Sequence, residues 1–214
     1  MLTIFSIAMS VALLLGVEKV RVNAQSSFAN TISGTDLIVG ARSGSIQLLL
    51  YSVFRIGDAT NNISFQSYQD IAQQKGVKWT IPISLGDSHR GFRVMGTSRD
   101  YFSVYQYGEQ RTLEFASGKQ FEGVFDAVIG SEVANVLNYA IGDQVIVSHG
   151  TGSASFTQHK DKPFVISGIL KHTGTPVDRT LHVSLAGIEA MHVNWQGAVK
   201  KRKASKALTE ANLQ

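Results

Sequence analysis

The chain opens with seventeen residues, MLTIFSIAMSVALLLGV, that hold neither a charge nor a proline, and Glu18, Lys19 and Arg21 come directly after them. As a helix rising ~1.5 Å per residue, such a run reaches roughly 26 Å, the short end of what crosses a hydrocarbon layer about 30 Å thick. A secretory signal peptide is the rival reading, because Val22 and Ala24 satisfy a small-residue cleavage rule. The basic residues that normally precede such an apolar core are missing, and three charged residues stand between the core and the cleavage point. These features favour a retained membrane helix, with a helix buried in a protein core as the third reading. Both leading readings put residues 25 onward outside the cytoplasm.

Composition fits a folded domain behind an anchor. Of 214 residues, 43% are hydrophobic and only 17% charged, so the residues beyond the apolar start suffice for one sizeable domain or two small ones. The chain has no cysteine, which removes disulfides, thiol nucleophiles and thiolate metal sites. The net charge of +4 is concentrated in Lys200, Lys201, Arg202, Lys203 and Lys206; the rest of the chain is close to neutral. A nucleic-acid footprint over the folded part is therefore excluded as a reading, because such footprints need a basic face on the domain itself. The basic tail is a solvated helix or terminus, or less simply a patch for anionic lipid.

Beyond the apolar run, Val17, Val20, Ala24, Phe28 and Ile32 recur at helical spacing, which extends the helix as a stalk until Ser33-Gly34 ends it. Thr35 to Ala41 reads as a short buried strand, and Ile46 to Ile56 as a helix that is buried or lipid-adjacent. Ser64 predicts a helix N-cap, with the helix running to Gly76. Val77 to Leu85 and Arg90 to Thr97 predict two strands joined by a turn at Gly86-Asp87-Ser88-His89. The aromatics Tyr101, Phe102 and Tyr105 predict a loop pinned to a core. Asp126 to Val147 reads as strand, a helix begun by Ser131 and Glu132, a turn at Gly142-Asp143, and strand. A polar loop, Ser148 to Lys162, precedes strands at Pro163 to Leu170 and Arg179 to Leu185, with a turn at Thr173 to Pro176 and a last short helix after them. Strands mixed with two or three helices, without an internal repeat, predict an α+β fold.

Three candidate chemistries compete with plainer readings. Gly86-Asp87-Ser88 resembles the nucleophile block of one esterase superfamily, but the base there comes from Asp-x-x-His, and here three residues separate Asp178 from His182. Gly-Asp-Ser is common in tight turns, so the turn reading is preferred and no catalytic residue is assigned. Gly150-Thr151-Gly152-Ser153 lacks the lysine with which a P-loop meets phosphate, so this chain does not hydrolyse ATP by that route. Among six histidines, His149, His159 and His172, with Asp161, fall in or beside the polar loop and are candidate metal ligands that one hairpin could gather. No pair has metal-finger or i, i+4 spacing, so a solvated loop is the plainer reading and neither metal nor cofactor is assigned. His89, His182 and His192 read as turn, strand-face and helix-face residues.

Four blocks then occur together in one order: VGARSGSIQLLLYSVFRIGDATNNIS, IPISLGDSHRGFRVMGTSRDYFSVY, AVIGSEVANVLNYAIGDQVIVSHG and PFVISGILKHTGTPVDRTLHVSL. In this order and with these gaps the chain, from residue 1 to about 195, resembles ABC-transporter permeases of the MacB/FtsX-like superfamily. The resemblance implies a transmembrane helix continuing into a stalk (1–33), a MacB-like periplasmic core domain of mixed α+β structure with two subdomains (34–195), and a basic segment (196–214) leading toward the rest of a longer permease. It also implies location in the inner (cell) membrane with the main domain periplasmic, in contact with membrane lipid. Further expectations are a permease homodimer, an ABC ATP-binding subunit that holds the ATP and Mg, and a periplasmic accessory protein. Mechanotransmission is the implied role: ATP-driven motion of the partner becomes export, release or handover of a substrate. The resemblance carries over no catalytic residue. Two other functions stay open at this point, a membrane-anchored periplasmic binding module that takes metal through its His loop and, more remotely, a secreted hydrolase using Ser88.

Overall fold

In the computed structural model, residues 2–57, 61–150 and 162–191 are described. The apolar start forms one long helix, α1 (Leu2–Thr31), as its unbroken run without Pro or interior Gly pairs dictates. Within it, Thr3–Val22 is long and apolar enough to cross a membrane, and none of that stretch is buried against the rest of the chain. The helix stops where Gly34 takes φ +65° and Ser33 N–H donates to Gln106 O at 3.0 Å. A side chain at Gly34 would strike Gln106 Oε1, so this position suits glycine on two grounds.

Two short helices come next, α2 (Ser45–Ser52) and α3 (Phe65–Ala72). Ser64 caps α3 as its sequence predicts, its hydroxyl accepting from Ser67 N–H at 3.0 Å. The preceding segment departs from expectation. Thr35 to Ala41 is not a strand; it is irregular, with Leu37 and Val39 exposed. Branched apolar residues make a strand only where a neighbouring edge offers a ladder, and this segment instead runs beside α2, where Gly40 approaches the Leu48 side chain. Helix α2 is also shorter than the apolar run around it, and none of its residues is fully buried.

The hairpin is present but its turn lies elsewhere. Strands β1 (Ser84–His89) and β2 (Phe92–Thr97) pair with His89 opposite Phe92, so the loop is the two residues Arg90 and Gly91. Both take positive φ, 48° and 85°, which matches the right-handed twist of paired strands. Gly86 to His89 therefore belong to β1, with a bulge between Leu85 and Asp87 where Gly86 is exposed. The expected strand over Val77 to Leu85 forms only at its end, where Ser84 and Leu85 open β1; Val77 to Ile83 are irregular, and Pro82 has no N–H to give a ladder.

The remaining elements are α4 (Tyr101–Val104), β3 (Gln106–Tyr107), β4 (Arg111–Thr112), β5 (Phe115–Gly118), β6 (Asp126–Ile129), α5 (Ser131–Leu137), β7 (Gln144–Val145), β8 (Ser148–His149), β9 (Phe164–Leu170), a 3₁₀ turn Pro176–Arg179, β10 (Thr180–Ser184) and α6 (185–191). Helix α5 begins at Ser131 as expected, with Gly130 as its N-cap, and is closed by Asn138 in the left-handed conformation that asparagine tolerates. Eight strands form one mixed sheet in the order β5-β9-β6-β10-β2-β1-β8, with β7 pairing β9 beside this path, while β3 and β4 form a separate ladder. The pairs β10–β2 and β6–β9 are parallel.

Alternation along the central strands sends side chains to two covered faces. On one face Val94, Ala127, Ile129, Leu181 and Val183 pack with Val133 of α5 and Met191 of α6. On the other, Met95 and Val128 meet Tyr101, Phe102 and Tyr105, so the aromatics pin the segment to the core as expected, but as the helix α4 in place of a loop. Each fully buried Val, Leu, Ile or Met among them contributes roughly 1.5–3 kcal/mol of transfer free energy. The fold is α+β, with an apolar helix leading into a sheet-rich domain.

Candidate functional site

The polar residues that sequence reasoning singles out do not converge. Ser88 is buried in β1, and its hydroxyl donates to Gly150 O at the start of the polar loop. Asp178 is buried in the 3₁₀ turn. Its carboxylate accepts from Thr173 N–H at 2.8 Å, Thr173 Oγ1 at 2.9 Å and Gly174 N–H at 2.7 Å, and pairs with the exposed His172. Those bonds fasten the turn that leads into β10. His182, the nominal base, points from β10 into the aromatic face, stacked on Tyr101 with ring centroids 5.1 Å apart. Strand β2 lies between the strands of Ser88 and His182, so the Asp178 and His182 of that reading do not come to Ser88 as its base.

The two metal candidates that are described, His149 and His172, lie apart. His159 and Asp161 lie outside the described residues, as do Thr151, Gly152 and Ser153 of the glycine segment. His149 is in β8 at one edge of the sheet, whereas His172 comes after β9, and β6, β10, β2 and β1 lie between those two strands. Among the described residues no group of three or more His, Asp or Glu is placed to hold a metal ion. His89 is a strand residue, not a turn residue: its ring bridges Ile146 O at 2.7 Å and Tyr139 Oη at 2.9 Å. Burial, partly offset by the Ile146 bond and reinforced by Arg90, lowers its pKa. His192 lies outside the described residues.

Two features of the second sheet face have no signature in the sequence. The first is Arg55, which comes just after α2 with φ +59° and is buried. Its guanidinium contacts Met95 Sδ and donates to Tyr101 Oη at 3.3 Å, but Nε–H has no acceptor and no carboxylate reaches it among the described residues. Burial raises the pKa of Tyr101 and Tyr105 despite the nearby Arg55, and burial with Arg55 lowers that of His182 to about 3. All three rings are therefore neutral, and none of them balances the arginine charge. Arg55 lines a cavity of about 1080 Å³ together with Ile32, Tyr51, Trp79, Ile81 and Tyr105. The irregular Thr35 to Ala41 segment forms part of its wall. No periodic signal in the sequence marks a lone arginine that loop geometry has turned inward.

The second feature is the junction of α1 with the domain. Buried Tyr105 donates its hydroxyl to Thr31 O in the last turn of α1, and two residues further Ser33 bridges Gln106. Thr31 is itself buried, and Ile32 packs against the aromatic cluster. A main-chain bond and a buried phenol thus fix the end of the long helix to α4 and β3.

Comparison with known proteins gives two positive findings. A family model described as the MacB-like periplasmic core domain matches residues 1–211. Among solved structures, the chain is similar to the extracellular domain of the noncanonic ABC-type transporter YknZ from Gram-positive bacteria, at 14% identity and a TM-score of 0.40. That similarity covers 60% of this chain and 65% of the other. No curated protein matches.

Proposed function

The chain belongs to the MacB-like periplasmic core domain family, and from that premise we propose that it serves an ABC transporter by carrying motion between a membrane helix and an extracytoplasmic domain. In this reading residues 1–33 are membrane helix and stalk, 34–195 the domain, and 196–214 a basic segment leading toward the rest of a permease. The site of action is the inner (cell) membrane. ATP and Mg belong to an ABC ATP-binding subunit, and the permease works as a homodimer with a periplasmic accessory protein. The chain itself catalyses no reaction; it transmits movement that exports, releases or hands over a substrate.

The observation that carries the proposal is the clamp at the end of α1. A helix that merely anchored a domain needs only a flexible tether, whereas Thr31 and Ser33 are held by Tyr105 and Gln106 through bonds placed within three residues of one another. Rotation or translation of α1 therefore reaches the sheet directly through α4 and its aromatic packing. The test is to tag the domain in the natural protein, purify it from its membrane, identify what copurifies by mass spectrometry and measure ATP hydrolysis in the material. A stoichiometric ATP-binding-cassette subunit with vanadate-sensitive hydrolysis is the expected result. Recovery of the tagged protein with no such subunit from intact membranes would reject the proposal.

A further inference from the structure

Among the described residues no counter-charge reaches Arg55, and a buried cation so placed is an unusual thing for a fold to keep, because desolvating a guanidinium is costly unless an anion or a full set of acceptors compensates. Arg55 has a thioether and a phenol as its partners, leaves Nε–H unpaired, and stands among rings that are uncharged. It also lines a cavity whose walls carry aliphatic and aromatic side chains, Ile32, Ile81, Tyr51 and Trp79 among them. At about 1080 Å³ the space is slightly larger than the ~300–1,000 Å³ that holds small organic ligands. Asp36 and Lys78 also line it, and Arg55 is the buried charge among them, a planar fork suited to carboxylate or phosphate.

We infer that this cavity binds an anionic amphiphile, a molecule with one carboxylate or phosphate headgroup that pairs with Arg55 and an alkyl chain that lies along Ile32, Ile81 and Trp79. The headgroup supplies the counter-charge that Arg55 lacks among the described residues, and the chain occupies the apolar wall. The inference stands on the cavity and Arg55 and does not require the transport reading. Binding next to Ile32 places the ligand beside the clamp that holds α1.

Trp79 gives a local readout, since the chain has only two tryptophans and Trp195→Phe leaves Trp79 alone. The full chain in phosphatidylcholine vesicles is titrated with 11-bromoundecanoate, 11-bromo-1-undecanol and 11-bromoundecyltrimethylammonium, whose bromine quenches indole fluorescence on contact. The carboxylate is expected to half-saturate quenching at a concentration at least about tenfold below that of the alcohol or the cation. Arg55→Gln should abolish that preference and Arg55→Lys should keep part of it. Equal quenching by the three probes, no saturable quenching by any, or an unchanged preference in Arg55→Gln would each overturn the inference. The comparison of probes on unaltered Arg55 stands even if a variant fails to fold. Millimolar inorganic phosphate should leave the carboxylate titration unmoved; displacement by it would show a site for small free anions and would overturn the amphiphile.

Discussion

His182 lies face to face with Tyr101, ring planes 27° apart, with the Phe102 ring edge-on against it and its Nδ1 3.3 Å from Val128 O. The carbonyl can only accept, so Nδ1 carries the proton and Nε2 is an acceptor that finds no partner. A charged imidazolium would need solvent that this face excludes.

Stability should accordingly depend on pH. The folded-state pKa of His182 is lowered to about 3 and that of His89 is lowered as well, while both titrate near 6.5 when unfolded. The unfolded chain therefore binds protons that the folded chain refuses. The stabilisation is fully present above pH 6.5 and is lost as pH falls toward 3, with a slope of at most about 1.4 kcal/mol per pH unit for His182 alone. Urea unfolding at pH 7.5 and 5 should show a drop that is markedly smaller in His182→Leu; an equal drop in both proteins would contradict the assignment.

Ser88→Ala should cost about 1 kcal/mol, the worth of one hydrogen bond to Gly150 O. It should change no activity. Thermal unfolding reads the first statement, and hydrolysis of p-nitrophenyl butyrate reads the second: a serine-dependent esterase rate in the parent chain, lost in the variant, would restore Ser88 as a nucleophile.

Asp178→Ala should be far more damaging, by about 2–4 kcal/mol, because it leaves the N–H groups of Thr173 and Gly174 without their acceptor in a partly buried turn. Asp178→Asn keeps one acceptor oxygen and should lose less. Denaturant midpoints order the three proteins, and a harmless Asp178→Ala would show that the turn satisfies itself otherwise.

Gly130→Ala should be among the costliest single-methyl changes in the chain. A Cβ there would sit 2.2 Å from Val177 O and 2.4 Å from Asp178 O, and neither atom belongs to a side chain that can swing aside. Overpacking of this kind costs about 1–3 kcal/mol or more. Failure to accumulate as folded protein, or a thermal midpoint lowered by several degrees, is expected; an unchanged midpoint would mean that β6, α5 and the 3₁₀ turn separate freely.

Tyr105→Phe removes the bond to Thr31 O at the end of α1 while keeping the ring in its aromatic cluster. Amide exchange at Ile32 to Gly34 should quicken, and exchange in β10 should not. Uniform protection in both proteins would show that the junction holds without the Tyr105 bond.

Elements whose pattern and partner lie close together are legible in the sequence. The apolar α1, the capped α3 and the strand-helix-strand unit from Asp126 to Val145 arise from spacing, a cap residue and a turn. Thr35 to Ala41 misleads because β-propensity describes a residue that fits a sheet, not whether a sheet edge is there to receive it. Gly86 to His89 misleads for a related reason: Gly-Asp-Ser tolerates turns, but Arg90-Gly91 closes the tighter loop, and arginine is not a residue that advertises positive φ. Arg55 is invisible altogether, since only the tertiary path that carries it behind Tyr101 and Met95 makes it a buried charge. Chemistry assembled from distant segments leaves no spacing to read.

The clamp on α1 has a mechanical corollary. Thirty residues of helix make a rod of about 45 Å, gripped at its last turn by Tyr105 and at the next residues by Gln106. A rod held at one end is a lever with a short load arm. A tilt of about 5° at the grip sweeps the far end through roughly 4 Å. Leverage of that kind would concentrate force on the backbone at Thr31, next to the Ile32 wall of the Arg55 cavity.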